Sequence, residues 1–311
     1  MAELAVQTSG LSKSFGEIQA VTGLDLAVPQ GEMFSLVGPD GAGKTTAIRM
    51  LCGLLRPSAG SGRVLGHDLA GASDKIKRSI GYLPQRFSLY GDLTIDENIE
   101  FFAEIHRVRS FRARRDELLD FTRLAPFRKR LADRLSGGMR QKLALVCTLI
   151  HTPRLLFLDE PTTGVDPVSR RDFWKILSDL LKTGITIVMT TPYLDEAERS
   201  SRVGLMNEGR LMTAAPPAEV KALMKGTVVE IVSNDALGAR AALRGLPAAR
   251  EVHLFGDRLH IVVDDMEKDL PAVEARLGRA GIAVLDRRAV PPSLENVFIS
   301  VTRAAAKEVS S

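Results

Sequence analysis

The chain has 311 residues, 45% hydrophobic and 26% charged, with a formal net charge of +4. That length and apolar fraction suffice for a full core and two domains, and acids mixed with bases at so mild a charge argue against a nucleic-acid partner. No run approaches the ~20 apolar residues that span a bilayer, and the opening Met-Ala-Glu-Leu-Ala-Val-Gln lacks the basic and apolar regions of a signal peptide. Cys52 and Cys147 lie in apolar helical stretches and read as buried thiols of a reducing compartment, with no metal-ligand company.

Residues 4 to 37 read as antiparallel strands, with turns at Gly16 and Gly23. The last of them, Met33 to Val37, is a buried strand that runs into Gly38-Pro39-Asp40-Gly41-Ala42-Gly43-Lys44-Thr45. This fits the phosphate-loop pattern, with a helix from Thr46 behind it. The glycines let backbone N–H groups curl around phosphate oxygens, and the helix N-terminus adds partial positive charge. In this pattern Lys44 reaches the β- and γ-phosphates and the Thr45 hydroxyl sits on Mg²⁺. The strand–loop–helix order therefore implies a bound nucleoside triphosphate. Asp40 puts a carboxylate beside phosphates, and an Asx-type turn accounts for it.

Residues 87 to 150 read as a helical insertion. Thr94-Ile95-Asp96-Glu97 is a capping box, and Phe101, Phe102 and Ile105 form an apolar stripe expected in the core. The preceding Arg86-Phe87-Ser88-Leu89-Tyr90 sets aromatics in a loop, either a docking patch or a loop tucked onto its own domain. The arginine-rich stretches at 107–115 and 123–130 read as solvated faces, with contact to anionic lipid as the other reading. Leu135-Ser136-Gly137-Gly138-Met139 opens the apolar helix Leu143 to Ile150 and makes a second anion-binding terminus without a lysine of its own.

Leu155-Leu156-Phe157-Leu158 is an apolar strand that delivers Asp159 and Glu160 at its end. Beside a phosphate loop, Asp159 can hold Mg²⁺ through water and Glu160 can polarise the attacking water. Phe173, Ile176, Leu177, Leu180 and Leu181 fit a helix packed on the sheet and ended near Gly184. The strand Thr186 to Thr190 follows, then Thr191-Pro192-Tyr193-Leu194-Asp195-Glu196-Ala197.

A composition break at Ala214-Ala215-Pro216-Pro217 precedes a short helix to about Met224 and marks the expected boundary. The order beyond is strand (Val228 to Val232), helix (Ala236 to Leu243), hairpin (Val252 to Phe255 with Leu259 to Val263), helix (Pro271 to Ala280) and strand (Ile282 to Leu285). That is the β-α-β-β-α-β order of a ferredoxin-like split unit. Pro292 to Phe298 closes it as a serine-capped helix, and His253 and His260 are too sparse on their strands for a metal site.

Over residues 5 to 222 the sequence resembles the ATP-binding subunits of ABC transporters. The family's motifs occur in its order: phosphate loop, Gln85 in Gly81-Tyr82-Leu83-Pro84-Gln85, signature Leu135 to Met139, the Asp159–Glu160 strand, and Gly164-Val165-Asp166 as the D-loop. The Ser-Leu-Glu-x-Val-Phe segment at 293–298 resembles the end of the ABC-2, drug-export branch. The resemblance implies an α/β P-loop NTPase over residues 1–224, with an antiparallel β subdomain and the helical insertion. An α+β ferredoxin-like accessory domain over 225–303 and a tail over 304–311 follow. It implies ATP and Mg²⁺ as cofactors, held by the loop residues Gly38 to Thr45 with Thr46. Thr45, Asp159 and Gln85 fall on Mg²⁺, Lys44, Gln85 and Glu160 on the chemistry, and Ser136, Gly137 and Gly138 on the ATP of a second cassette. Phe15 lies where the family places a ring against adenine, and a core phenylalanine at a strand end is the other reading.

The implied protein is a peripheral subunit on the cytoplasmic face of the plasma (inner) membrane. It would power an ABC-2-type permease as a homodimer or heterodimer of cassettes, with Phe87 and its neighbours on the groove that grips a coupling helix. The family carries a histidine on the γ-phosphate where this chain has Pro192. Proline offers no side-chain donor or acceptor, so tight binding and weakened hydrolysis are expected. The alternatives are a nearly inactive half of a heterodimeric transporter and a soluble, non-transport ABC ATPase.

Overall fold

In a computed structural model that describes residues 3–309, the chain divides into two compact units, Met1–Pro217 and Ala218–Ser311. The division falls ahead of residue 224, so most of the short helix after Pro216 goes with the second unit.

The first unit begins with β1 (Leu4–Phe15) and β2 (Ile18–Pro29), then β3 (Met33–Val37), α1 (Lys44–Leu51), β4 (Ala59–Val64), β5 (His67–Asp68), α2 (Ser73–Ser79) and β6 (Ile80–Leu83). The helical insertion supplies α3 (Ile95–Ile105), α4 (Phe111–Thr122) and α5 (Gly137–Leu149). There follow β7 (Leu155–Asp159), α6 (Pro167–Lys182), β8 (Thr186–Thr191), α7 (Leu194–Ala197), β9 (Arg202–Asn207) and β10 (Arg210–Ala215). One sheet is antiparallel, in the order β2-β1-β4-β5, and the other runs β10-β9-β3-β8-β7-β6 with parallel pairing from β9 through to β6.

The parallel strands are buried on both faces, which explains their near-continuous apolar runs. Successive residues serve different cores: Leu155, Phe157 and Val188 join α1 and the antiparallel sheet, while Leu156, Leu158, Ile187 and Met189 pack with α3, α5 and α6. Register then aligns the chemistry. Val37 lies opposite Thr191, and Asp159 opposite Thr190. The loops after β3, β7 and β8 therefore leave one sheet edge together, at the carboxyl ends where open α/β sheets bind ligands.

Thr94 and Glu97 form the expected capping box on α3. The stripe is corrected: the buried face is Ile95, Ile99 and Ala103 with Asn98, while Ile105 is exposed and Phe101 and Phe102 are half-buried. Spacing by four from Ile95 sets that face, and Phe102 instead turns to Phe87, with ring centroids 5.1 Å apart.

The second unit contains α8 (Pro217–Ala222), β11 (Thr227–Ser233), α9 (Ala236–Leu243), β12 (Glu251–Phe255), β13 (Arg258–Val263), α10 (Met266–Arg279), β14 (Val284–Val290) and α11 (Leu294–Val309). Its sheet order β12-β13-β11-β14, antiparallel throughout, is that of the split β-α-β unit. Two elements start elsewhere than expected. Asp265 caps α10 through the amides of Glu267 and Lys268, so the helix begins before Pro271 and carries it inside. The last strand begins at Val284, because Ile282 turns into the core beneath α9 and α10. The expected 304–311 tail continues α11 to Val309, and Ser310 and Ser311 lie outside the described residues.

Candidate nucleotide site

The loop between β3 and α1 is shaped by what presses on it. A Cβ on Gly38 would fall 2.0 Å from the Met206 carbonyl oxygen, and Gly43, at φ 96°, backs onto the Ala20 carbonyl. Neither position admits a side chain. Gly43 caps α1 without a side-chain acceptor, which leaves the first amides of the helix free for an anion.

Lys44 is the second residue type this loop fixes. Only 4% exposed, its ammonium donates to the carbonyls of Gly38 (2.8 Å) and Pro39 (2.9 Å) and lies 3.3 Å from Glu160 Oε1. Gln85 Nε2 donates to Glu160 Oε2 at 2.9 Å. Glu160 is held from behind as well, because its amide donates to the carbonyl and the hydroxyl of Thr190. Its φ of 48° is left-handed, an unfavourable conformation for a side chain with a Cβ.

Asp159 is fully buried. Its Oδ1 accepts from Thr45 Oγ1 (3.0 Å) and Thr190 Oγ1 (2.7 Å), and its Oδ2 has no partner. A buried carboxylate oxygen left unpaired is costly. Facing the Thr45 hydroxyl in a set of hard oxygen donors, it fits a divalent cation of the Mg²⁺ type.

A cavity of about 640 Å³ is lined by Asp40, Gly41, Ala42, Gly43, Lys44, Thr45 and Thr46, with Gln85, Glu160, Pro192, Tyr193 and the Glu208–Gly209 turn closing it. Gly38 and Pro39 stand behind it through Lys44. Phe15 is not in the lining. Its ring is 49% exposed at the end of β1 beneath the Lys13 ammonium, while Ile18 and Gln19 face the cavity. Asp40 is exposed on the loop, and no Asx-type hydrogen bond to it is found among the described residues, the turn being closed instead by the Ala42 amide on the Pro39 carbonyl.

Ser136, Gly137 and Gly138 lie outside this cavity. Ser136 caps α5 by accepting from the Met139 amide, and Ser136 and Gly137 are open to solvent. Gly138 abuts Ser169, whose Oγ would lie 2.2 Å from an added Cβ. One cassette thus carries two halves that it does not bring together itself.

One cluster escaped sequence reasoning. Glu196, 2% exposed, accepts two hydrogen bonds from Thr162 Oγ1 (2.9 and 2.7 Å) and one from Thr191 Oγ1 (3.2 Å), and pairs with Arg170 at 3.3 Å. Arg170 also stacks over the Tyr193 ring at 4.6 Å. The segment carrying Pro192 is therefore tied to the D-loop side of the site. The signal was available, since threonines ending an otherwise apolar buried strand need partners.

A second, largely apolar cavity of about 200 Å³ lies among Tyr82, Phe87, Phe102, Cys52, Cys147 and the stacked rings of His106 and His151. The histidine rings are 3.9 Å apart and nearly parallel, and His151 Nε2 bonds the Ile80 carbonyl. Burial pushes both thiols well up from their ordinary range, so they are inert.

A phosphate loop on β3, a magnesium-type oxygen set on β7 and a buried glutamate beside both define a P-loop nucleoside triphosphatase. The ABC transporter family model matches residues 21–163, and the model for the C-terminal domain of DrrA1-3-like ATP-binding proteins matches residues 216–302. The daunorubicin/doxorubicin resistance ATP-binding protein DrrA of Streptomyces peucetius is 38% identical over 96% of this chain and 92% of that protein. The Nod factor export ATP-binding protein I of Rhizobium sp. (strain N33) is 37% identical over 97% of this chain and 98% of that protein. A probable multidrug ABC transporter ATP-binding protein of Escherichia coli, YbhF, is 41% identical, but the match spans only 38% of its length. Among solved structures, an ATP-binding subunit of an ABC transporter aligns with a TM-score of 0.64 at 26% identity, over 70% of this chain and 92% of that one. A dimeric post-hydrolysis ATP-binding cassette bound to ADP and Pi aligns at 0.62 and 27%, over 68% and 98%. The chain belongs to the ATP-binding proteins of the ABC transporter family, in the ABC-2, drug-export branch.

Proposed function

We propose that this chain binds and hydrolyses Mg-ATP to power an ABC-2-type export permease, from the cytoplasmic face of the membrane. The observation that carries it is Glu160, poised between the Lys44 ammonium and the Gln85 amide at the carboxyl end of the parallel sheet. The free amides of α1 and Lys44 take the phosphates, and an arriving γ-phosphate draws Lys44 from Glu160 and frees that carboxylate as a base. Thr45 and Asp159 would hold Mg²⁺, which would supply charge neutralisation on the phosphates, and Gln85 orients Glu160 toward the attacking water. Because Ser136 and Gly137 stand open at the start of α5, outside the cavity that holds Lys44, a second cassette completes each site. The docked dimer is the arrangement in which that exposed terminus finds an anion.

The relatives' names support export, and the cavity beside Phe87 supports a permease segment entering there. Purification of the chain from its native membrane tests this reading. Recovery with a multi-spanning protein and ATP-dependent turnover is expected, and ribosome co-sedimentation without such a partner overturns it.

Pro192 favours a second reading within the same class, in which this chain is the slow half of a heterodimer whose other cassette carries the histidine. Recovery of two different cassettes with the permease distinguishes it from a homodimer.

A further inference from the structure

Four of the nine arginines of the second unit are answered by carboxylates. Arg258 and Arg288 share Glu230, Arg250 reaches Asp264 at 3.0 Å, and Arg287 bonds Glu274. Arg240, Arg244 and Arg303 have no such partner among the described residues, and all three line one cavity of about 710 Å³, with Arg250 on the same wall. Like charges brought together without a counter-charge repel, and an anion shared between them removes that cost.

Three features say what kind of anion. The one carboxylate in the lining, Glu251, is 9% exposed and already committed: its oxygens accept from Ser300 Oγ at 2.8 Å and lie 3.0 Å from His253 Nε2. Its oxygens are taken up by those contacts, and it forms no ion pair with any of the four arginines among the described residues. Planar guanidinium forks suit phosphate oxygens, which they bind in pairs of parallel hydrogen bonds. The rest of the wall is apolar, with Leu237, Ala241, Ala249 and Val252, and the volume is that of a site for a small organic ligand. The dipole of α9 accounts for Arg240 and Arg244 at its C-terminal end. It does not account for Arg303, which arrives from α11.

We propose that this cavity between α9, β12 and α11 binds a phosphate-bearing anion with an apolar body, as a second anion site separate from the phosphate loop. The ligand is a free organic phosphate or a phospholipid headgroup, since both present the same oxygens.

The test uses the full chain with its phosphate loop held by saturating Mg-AMP-PNP. Radiolabelled pyrophosphate is bound by equilibrium dialysis, and co-sedimentation is followed with vesicles of phosphatidylglycerol and of phosphatidylcholine. Wild type is expected to take up one further pyrophosphate, or to sediment with phosphatidylglycerol alone; the first outcome assigns a free phosphate and the second a headgroup. The double variant Arg240→Glu/Arg244→Glu, and separately Arg303→Glu, should weaken that binding by about tenfold or more. Both change exposed side chains; their Mg-ATPase should stay at the wild-type rate, and an unchanged far-ultraviolet circular dichroism spectrum and melting transition show that the second unit folds. Binding of neither probe, or binding that these variants leave unchanged, overturns the site.

Discussion

Gln85 Nε2 donates to Glu160 Oε2 at 2.9 Å, so a loop after one strand positions the carboxylate at the end of the next. This amide links the segment that runs into the aromatic loop at Phe87 with the reacting end of the sheet. Glu160→Gln keeps the shape and removes the basicity. It should lower turnover by about 10²–10⁴, the usual contribution of a positioned base, while nucleotide affinity stays within a fewfold. Steady-state Mg-ATPase beside equilibrium nucleotide binding separates the two effects, and equal loss of both would place Glu160 in binding alone.

Pro192 faces the same cavity as Lys44 without a polar atom to offer. Pro192→His restores a donor, and kcat should rise on the order of 10²–10³, by comparison with the loss of an oxyanion-type donor elsewhere. A variant no faster than wild type would mean that Gln85 and Glu160 suffice.

Thr162 makes both of its hydroxyl contacts to the buried Glu196. Thr162→Val leaves that carboxylate underbonded and should cost about 1–3 kcal/mol. By scanning calorimetry the melting temperature of the first unit should fall by about 2–4 °C for each kcal/mol. An unchanged transition would show Arg170 and Thr191 to be sufficient for Glu196.

His106, exposed as a residue, is pushed down to about 4, first by desolvation of the ring where it stacks on His151 and second by the charge of His151. Its usual value lies near 6.5, so the unfolded chain binds the proton more readily. Folded stability from this group is therefore complete above pH 6.5 and is lost as the pH falls toward 4. Melting temperatures across that window should fall with acid in wild type and fall less steeply in His106→Gln. Parallel curves would remove the histidine stack from the acid response.

The site was legible in the sequence to the extent that its residues are contiguous. Gly38 to Thr45 and Asp159 with Glu160 each lie in a few adjacent letters, and the fold joins them through Lys44–Glu160 and Thr45–Asp159, whereas Ser136 to Gly138 stay outside the cavity. The ties between segments were not legible. Thr190 holding Asp159, and Glu196 gathering Thr162, Thr191 and Arg170, depend on which strand neighbours which, and parallel pairing across long crossovers leaves no local trace. Two helix features were misplaced for local reasons. Asp265 outcompeted Pro271 as the start of α10, and the buried face of α3 followed Ile95 rather than the larger aromatics.

The left-handed backbone at Glu160 carries a consequence for how such a chain evolves. A side chain there costs about 1–2 kcal/mol relative to glycine, so drift toward a sturdier protein runs through the one position that hydrolysis cannot spare. A lineage released from the need to turn over ATP would shed the glutamate early and gain stability by doing so. Here the strained backbone holds a carboxylate that meets both Lys44 and Gln85, so the strain is borne by the group on which the proposed hydrolysis depends.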